Sequence, residues 1–72
     1  MERYRNSSGG SGVSGYEIGP NYIRVKFSSI FRTYSYSYGL AGSTHVEQMK
    51  RLAQRGSGLN TYINRFTKHL YD

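Results

Sequence analysis

Two classes of residue in this chain could do chemistry, cations and aromatic rings, and each recurs at every second position of a run. In Tyr22-Ile23-Arg24-Val25-Lys26-Phe27 the cations Arg24 and Lys26 are interleaved with apolar side chains. Arg32 then precedes a run with a ring at every second position, Tyr34-Ser35-Tyr36-Ser37-Tyr38. Cations neutralise phosphates and aromatic rings stack on bases, so together they suit a nucleic acid. If Phe27 pairs with Phe31 in a hairpin, Lys26 faces Arg32, Arg24 faces Tyr34 and Tyr22 faces Tyr36. One sheet face then carries all six. A one-residue slip turns the tyrosines toward Ile23 and Val25 instead, as cross-strand packing. The sequence leaves the register open. A second set of cations, Arg51, Arg55 and Arg65 with Lys50 and Lys68, falls in the C-terminal third. Arg51 and Arg55 are four apart, a mildly destabilising like-charge spacing that hints at a use for positive charge there.

The composition narrows the function classes. Lys plus Arg number 10 against 4 Asp plus Glu, a net +6 in 72 residues. Hydrophobic residues are 36% and aromatics 15%, with 8 tyrosines, so the chain is too aromatic to be wholly disordered. The absence of cysteine removes disulfides, thiolate zinc sites and cysteine nucleophiles. His45 and His69 have few carboxylates to join them, so no metal is expected. Of Glu2, Glu17, Glu47 and Asp72, only Glu17 is free for acid–base work, and no partner is spaced to match it. The expectation is a non-catalytic protein with no cofactor. No apolar run approaches the ~20 residues of a membrane span, and Met1 to Gly15 lacks a signal-like apolar stretch. A small domain without cysteine staples fits a reducing cytosol, so a cytoplasmic protein is expected, and a monomer.

These residues must be positioned by a small domain. Residues 1–12, with Ser7 to Gly15 reading SSGGSGVSG, are expected to form a flexible tail. Gly10 to Gly15 spells G-x-G-x-x-G, but without the strand before and helix after that dinucleotide binding needs. Residues 13–72 read as one domain. Its first strand starts at Val13 and ends at the turn Gly19-Pro20-Asn21, its second is Tyr22–Phe27, and its third runs from Phe31 to Tyr38. Their short connections imply an antiparallel meander. Thr44 with Glu47 fits a capping box opening a helix that Gly56 closes. A second helix is expected after Asn60 as N-cap, with Ile63, Phe66 and Leu70 as its buried stripe and Leu59 just before it. The predicted fold is α+β: a three-stranded antiparallel meander with two C-terminal helices packed on one face. The expected core is Ile23, Val25, Phe27, Val46, Met49, Leu52, Leu59, Ile63, Phe66 and Leu70, with part of the tyrosine set.

Four features, in order, make residues 13–66 resemble the KTSC domain, a short module found alone and at the C-terminus of some lysyl-tRNA synthetases. Gly15-Tyr16-Glu17 is followed at the family's spacing by Ile23, Val25 and Phe27. A Tyr-x-Tyr pair comes next, present twice in Tyr34 to Tyr38. A helix then ends at Gln54-Arg55-Gly56, and Leu59-Asn60 precedes Ile63. The chain departs from the family in the second hairpin turn, where Ser28-Ser29-Ile30 has no glycine, and in Gly39-Leu40-Ala41-Gly42, which replaces Val-Pro. The resemblance implies the same α+β fold and, through the synthetase link, RNA binding.

The function expected is therefore electrostatic RNA binding. Arg24, Lys26, Arg32, Arg51, Arg55 and Arg65 would contact phosphates, and Tyr34, Tyr36 and Tyr38 would stack on bases of tRNA-like or single-stranded RNA. The rival reading is a protein-interaction module using the tyrosine-rich face or an open sheet edge, since Tyr and Arg are enriched at such interfaces as well. A third makes the chain a structural appendage whose charge serves solubility.

Overall fold

The computed structural model describes residues 1–7, 12–28 and 30–72. The fold is α+β. Its sheet has four antiparallel strands in the order β1-β2-β3-β4: β1 Glu2–Arg3, β2 Val13–Ile18, β3 Tyr22–Phe27 and β4 Arg32–Ser37. Helix α1 spans Ser43–Arg55, and α2, Leu59–Tyr62, runs on into a π-helical turn, Ile63–Thr67. The meander and the two C-terminal helices agree with the sequence. The sheet has one strand more than expected.

That extra strand comes from the segment read as tail. Glu2 pairs with Tyr16 and Arg3 with Gly15. Beyond them Tyr4 is buried, its N–H donating to Ser14 O (3.0 Å) and its hydroxyl accepting from Leu59 N–H (3.3 Å). Tyr4 supplies what glycine and serine cannot, a large ring whose burial offsets the cost of ordering. The expectation of a mobile tail is thus corrected for Met1–Ser7. Its Gly/Ser stretch at positions 8–11 lies outside the described residues. Gly15 admits the extra strand, since a Cβ there would stand 3.0 Å from Glu2 O.

In β2 the register slips between Val13 and Gly15, a bulge at Ser14. The extra residue lets Val13 and Tyr16 share the face of Ile23 and Val25, which simple alternation would forbid. The β3–β4 ladder pairs Phe27 with Arg32, Val25 with Tyr34 and Ile23 with Tyr36. Tyrosines 34 and 36 therefore lie beneath the helices, and Thr33, Ser35 and Ser37 face the other way. Burying two rings over Ile23 and Val25 removes much apolar area from water. The opposite register would bury three hydroxyls.

Helix α1 begins two residues earlier than the capping box implied. Gly42 holds the N-cap position with no side-chain bond, so Thr44 lies inside the helix. Glu47 turns outward to Lys50, 2.7 Å away, rather than back to the cap. Val46, Met49, Leu52 and Ala53 are buried as the spacing demands. Gly56 closes the helix at φ 83, and any Cβ on it would meet the Arg5 Cβ at 2.6 Å.

The last element departs most from expectation. The residue before Leu59, Gly58, holds the N-cap, so Asn60 is already helical. The π turn inserts an extra residue per turn and shifts the buried stripe. Ile63 and Thr67 go inward, the Thr67 hydroxyl donating to Met49 Sδ at 3.3 Å. Phe66, expected in the core, is 50% exposed. Phe27 and Leu70 are only partly buried and pack on the core from its margin.

Candidate functional site

The sheet has one face under the helices and one face open. Strand alternation puts Arg24 and Lys26 of β3, Thr33 and Ser35 of β4, and Glu17 of β2 on the open face. Arg3 joins them, because it lies across Gly15 from the strand that carries Lys26. The result is a row, Arg3, Gly15, Lys26, Thr33, in which the two cations flank a glycine that the Met1 side chain covers. The neighbouring row is Glu17, Arg24, Ser35. Among the described residues Arg3 and Lys26 have no carboxylate partner, and Arg24 reaches Glu17 at 3.7 Å. That pair is exposed on both sides, so it is weak and exchangeable. Tyr22 donates to Glu17 at 2.9 Å, which raises the ionisation range of its own hydroxyl.

The residues expected to act together are divided among four places. Arg24 and Lys26 share the open face. Arg32, opposite Phe27, falls on the helix side of the sheet at its edge. Tyr34 and Tyr36 also face the helices. Tyr36 is 1% exposed, and burial pushes its hydroxyl up to about 12, so stacking by Tyr36 on an external base is ruled out. Tyr38 lies just past β4, where its hydroxyl donates to Glu47 Oε2 at 2.5 Å and its ring lies 5.7 Å from Lys50 Nζ. Arg51, Arg55 and Arg65 belong to the helical layer, away from the open face. Arg51 donates to Gln48 (2.7 Å), Arg55 to Ser57 (3.1 Å), and Arg65 lies 5.6 Å from the Phe66 ring. The single six-residue face is therefore corrected. It loses Arg32, Tyr34 and Tyr36 to the opposite side and gains Thr33, Ser35 and Arg3.

Lys50 is structural. It is 9% exposed, and its ammonium donates to Pro20 O at 3.3 Å as well as pairing with Glu47. The bond from Lys50, with that from Tyr38, holds the Glu47 carboxyl below its ordinary range. Among the described residues Glu47 is in this way committed to joining α1 to the end of β4, and no group of three or more acidic or histidine side chains could hold a metal ion. No helix among them is long and apolar enough to cross a membrane.

A second concave region lies on the helix side. Phe27, Ile30, Tyr34 and Tyr71 line it from the hairpin and the C-terminal segment, and Tyr36 and Ile63 reach it from the core. Asn60, Asn64, Lys68 and His69 complete it from the last helical element. Its volume is about 310 Å³. Neither asparagine was among the residues expected to bind, although their spacing with Lys68, four and four again, signals a shared helical face. No family model, no curated protein and no solved structure matches this chain.

Proposed function

We propose that this protein is a small non-catalytic module that binds RNA through the sugar–phosphate backbone, using the open sheet face. The observation that carries the reading is the arrangement of Arg3, Lys26 and Arg24 beside the hydroxyls of Thr33 and Ser35, on a chain of net charge +6. Cations and hydroxyls are phosphate-contacting groups. Among the described residues Tyr22 is the one ring on that face, and its hydroxyl is engaged with Glu17. Such a surface follows the charge of a strand and does not read its sequence. The resemblance to the KTSC domain supports RNA as the polymer. Arg51, Arg55 and Arg65 add a diffuse field that speeds encounter from the helical side.

Fluorescence anisotropy with a short single-stranded RNA tests this. Binding at low salt should weaken steadily as salt rises. Heparin, an anionic polymer without ribose or bases, is the control. No binding to RNA at low salt, or binding that rising salt does not weaken, rejects the reading, and equal affinity for heparin removes the case for RNA as the polymer while leaving a charge-only contact.

One observation favours the rival of a protein-docking module. Phe31 is 91% exposed and Ile30 51% exposed at the β3–β4 hairpin tip. An apolar tip of this kind fits a partner's pocket. The tyrosine-rich face first considered for that role is covered by the helices. Part of the β4 edge is also occupied, since Asp72 N–H donates to Ser35 O at 2.8 Å.

A further inference from the structure

The groove between the β3–β4 hairpin and the last helical element has two chemically different walls. One is a train of rings: Phe27 meets Tyr34 edge-on with centroids 5.7 Å apart, and Tyr34 meets Tyr71 at 4.5 Å. The other carries the amides of Asn60 and Asn64 and the cation of Lys68, with His69 beside them. Among the described residues none of these four polar side chains makes a hydrogen bond or ion pair within the protein. Their donors and acceptors are therefore available to a ligand. Tyr71, the outermost ring, is 40% exposed.

Rings on one side, unengaged amides on the other and a cation at the rim match a nucleotide. The base is planar and has hydrogen-bonding edges, and the phosphate is negative. A purely apolar peptide would leave two amides and an ammonium unpaired at the contact, which is costly. Of the other hollows among the described residues, one of about 480 Å³ is bordered by Glu2 and Glu17 and would repel a phosphate, and one of about 410 Å³ adjoins the groove, sharing Asn64, Lys68 and His69 with it but carrying Phe66 as its one ring. We infer that the groove formed by Phe27, Tyr34, Tyr71, Asn60, Asn64 and Lys68 holds one unpaired nucleotide of a single-stranded RNA. This rests on the proposed RNA binding and adds to it a base-dependent contact that the open face lacks.

The test compares a short single-stranded RNA with an abasic strand of the same length and charge, at one low salt concentration. The base-bearing strand should bind about tenfold tighter, the scale of one stacked base. Tyr71→Ala and Asn64→Ala, both at exposed positions, should each erase most of that difference. Tyr71→Phe should keep it, and neither alanine variant should change the affinity for the abasic strand. Thermal melts confirm that each variant is folded. Equal binding of the two strands overturns the inference while leaving backbone binding intact, as does a base preference that survives both alanine substitutions. Failure of both strands to bind overturns the inference and the proposed function together. Amide resonances of Asn60 and Asn64 that move with a hydrophobic peptide and not with RNA would assign the groove to a protein partner instead. Free mononucleotide binding as tightly as the strand would show a small-molecule site, also against the inference.

Discussion

Tyr36 lies directly opposite Ile23 across the β3–β4 ladder, and both are buried, at 1% and 0% exposure. The pairing decides which half of β4 is core and which is surface. With Tyr36 inward, Ser35 and Ser37 must face out, and the open face becomes one of cations and hydroxyls. The stacking role considered for Tyr36 gives way to a structural one.

Tyr36→Ala should cost about 3–5 kcal/mol, in line with other buried rings, read as a lower denaturation midpoint. Tyr36→Phe isolates the hydroxyl. Burial raises its pKa from 10.0 to about 12 in the folded state. A raised folded pKa means that the contribution is fully present below pH 10 and is lost as pH climbs through 12. Wild type should therefore lose stability across that window more steeply than Tyr36→Phe. Superimposable alkaline profiles would contradict the burial of this hydroxyl.

Phe31 occupies a position that suits glycine. Its φ is 54, in the left-handed region, and its ring gains little from burial. A non-glycine residue there costs about 1–2 kcal/mol. Phe31→Gly should raise the denaturation midpoint by an amount corresponding to about 1 kcal/mol, the partial gain reflecting glycine's greater freedom when unfolded. A lower midpoint would mean that the ring packs.

Tyr4 ties the N-terminal strand to the start of α2 through its bond from Leu59 N–H. Tyr4→Ala should destabilise the whole domain by about 3–5 kcal/mol. Hydrogen exchange should show faster opening at Leu59 and along β1 and β2 together. A variant with wild-type stability would restore the picture of a mobile tail.

Much of the fold was legible because it follows from local patterns. The strict alternation of Tyr22 to Phe27 defines β3 to the residue, and Val46, Met49, Leu52 and Ala53 define the buried side of α1. What escaped depends on contacts distant in sequence. Tyr4 stands in a polar stretch, and its burial comes from a partner 55 residues away. The Ser14 bulge and the π turn each add a residue to a regular repeat, so faces read by counting are wrong beyond them. That is why Thr67 is buried and Phe66 is not. Of the site, Arg24 and Lys26 were legible from alternation alone. The tyrosines were not, because their face hangs on a register that β4 shares with β3. Yet three tyrosines against one threonine and two serines already favoured rings inward. Arg3 was missed with the strand that carries it, and Asn60 was read as a cap.

The central claim is that Arg24 and Lys26 contact the RNA backbone from the open sheet face. The most direct measurement is the salt dependence of single-stranded RNA affinity for wild type, Arg24→Ala and Lys26→Ala. Each phosphate neutralised contributes about −0.7 to the log–log slope, so each substitution should flatten the slope by about that amount. Slopes identical to wild type in both variants, or no RNA binding by the wild-type protein at low salt, would contradict it.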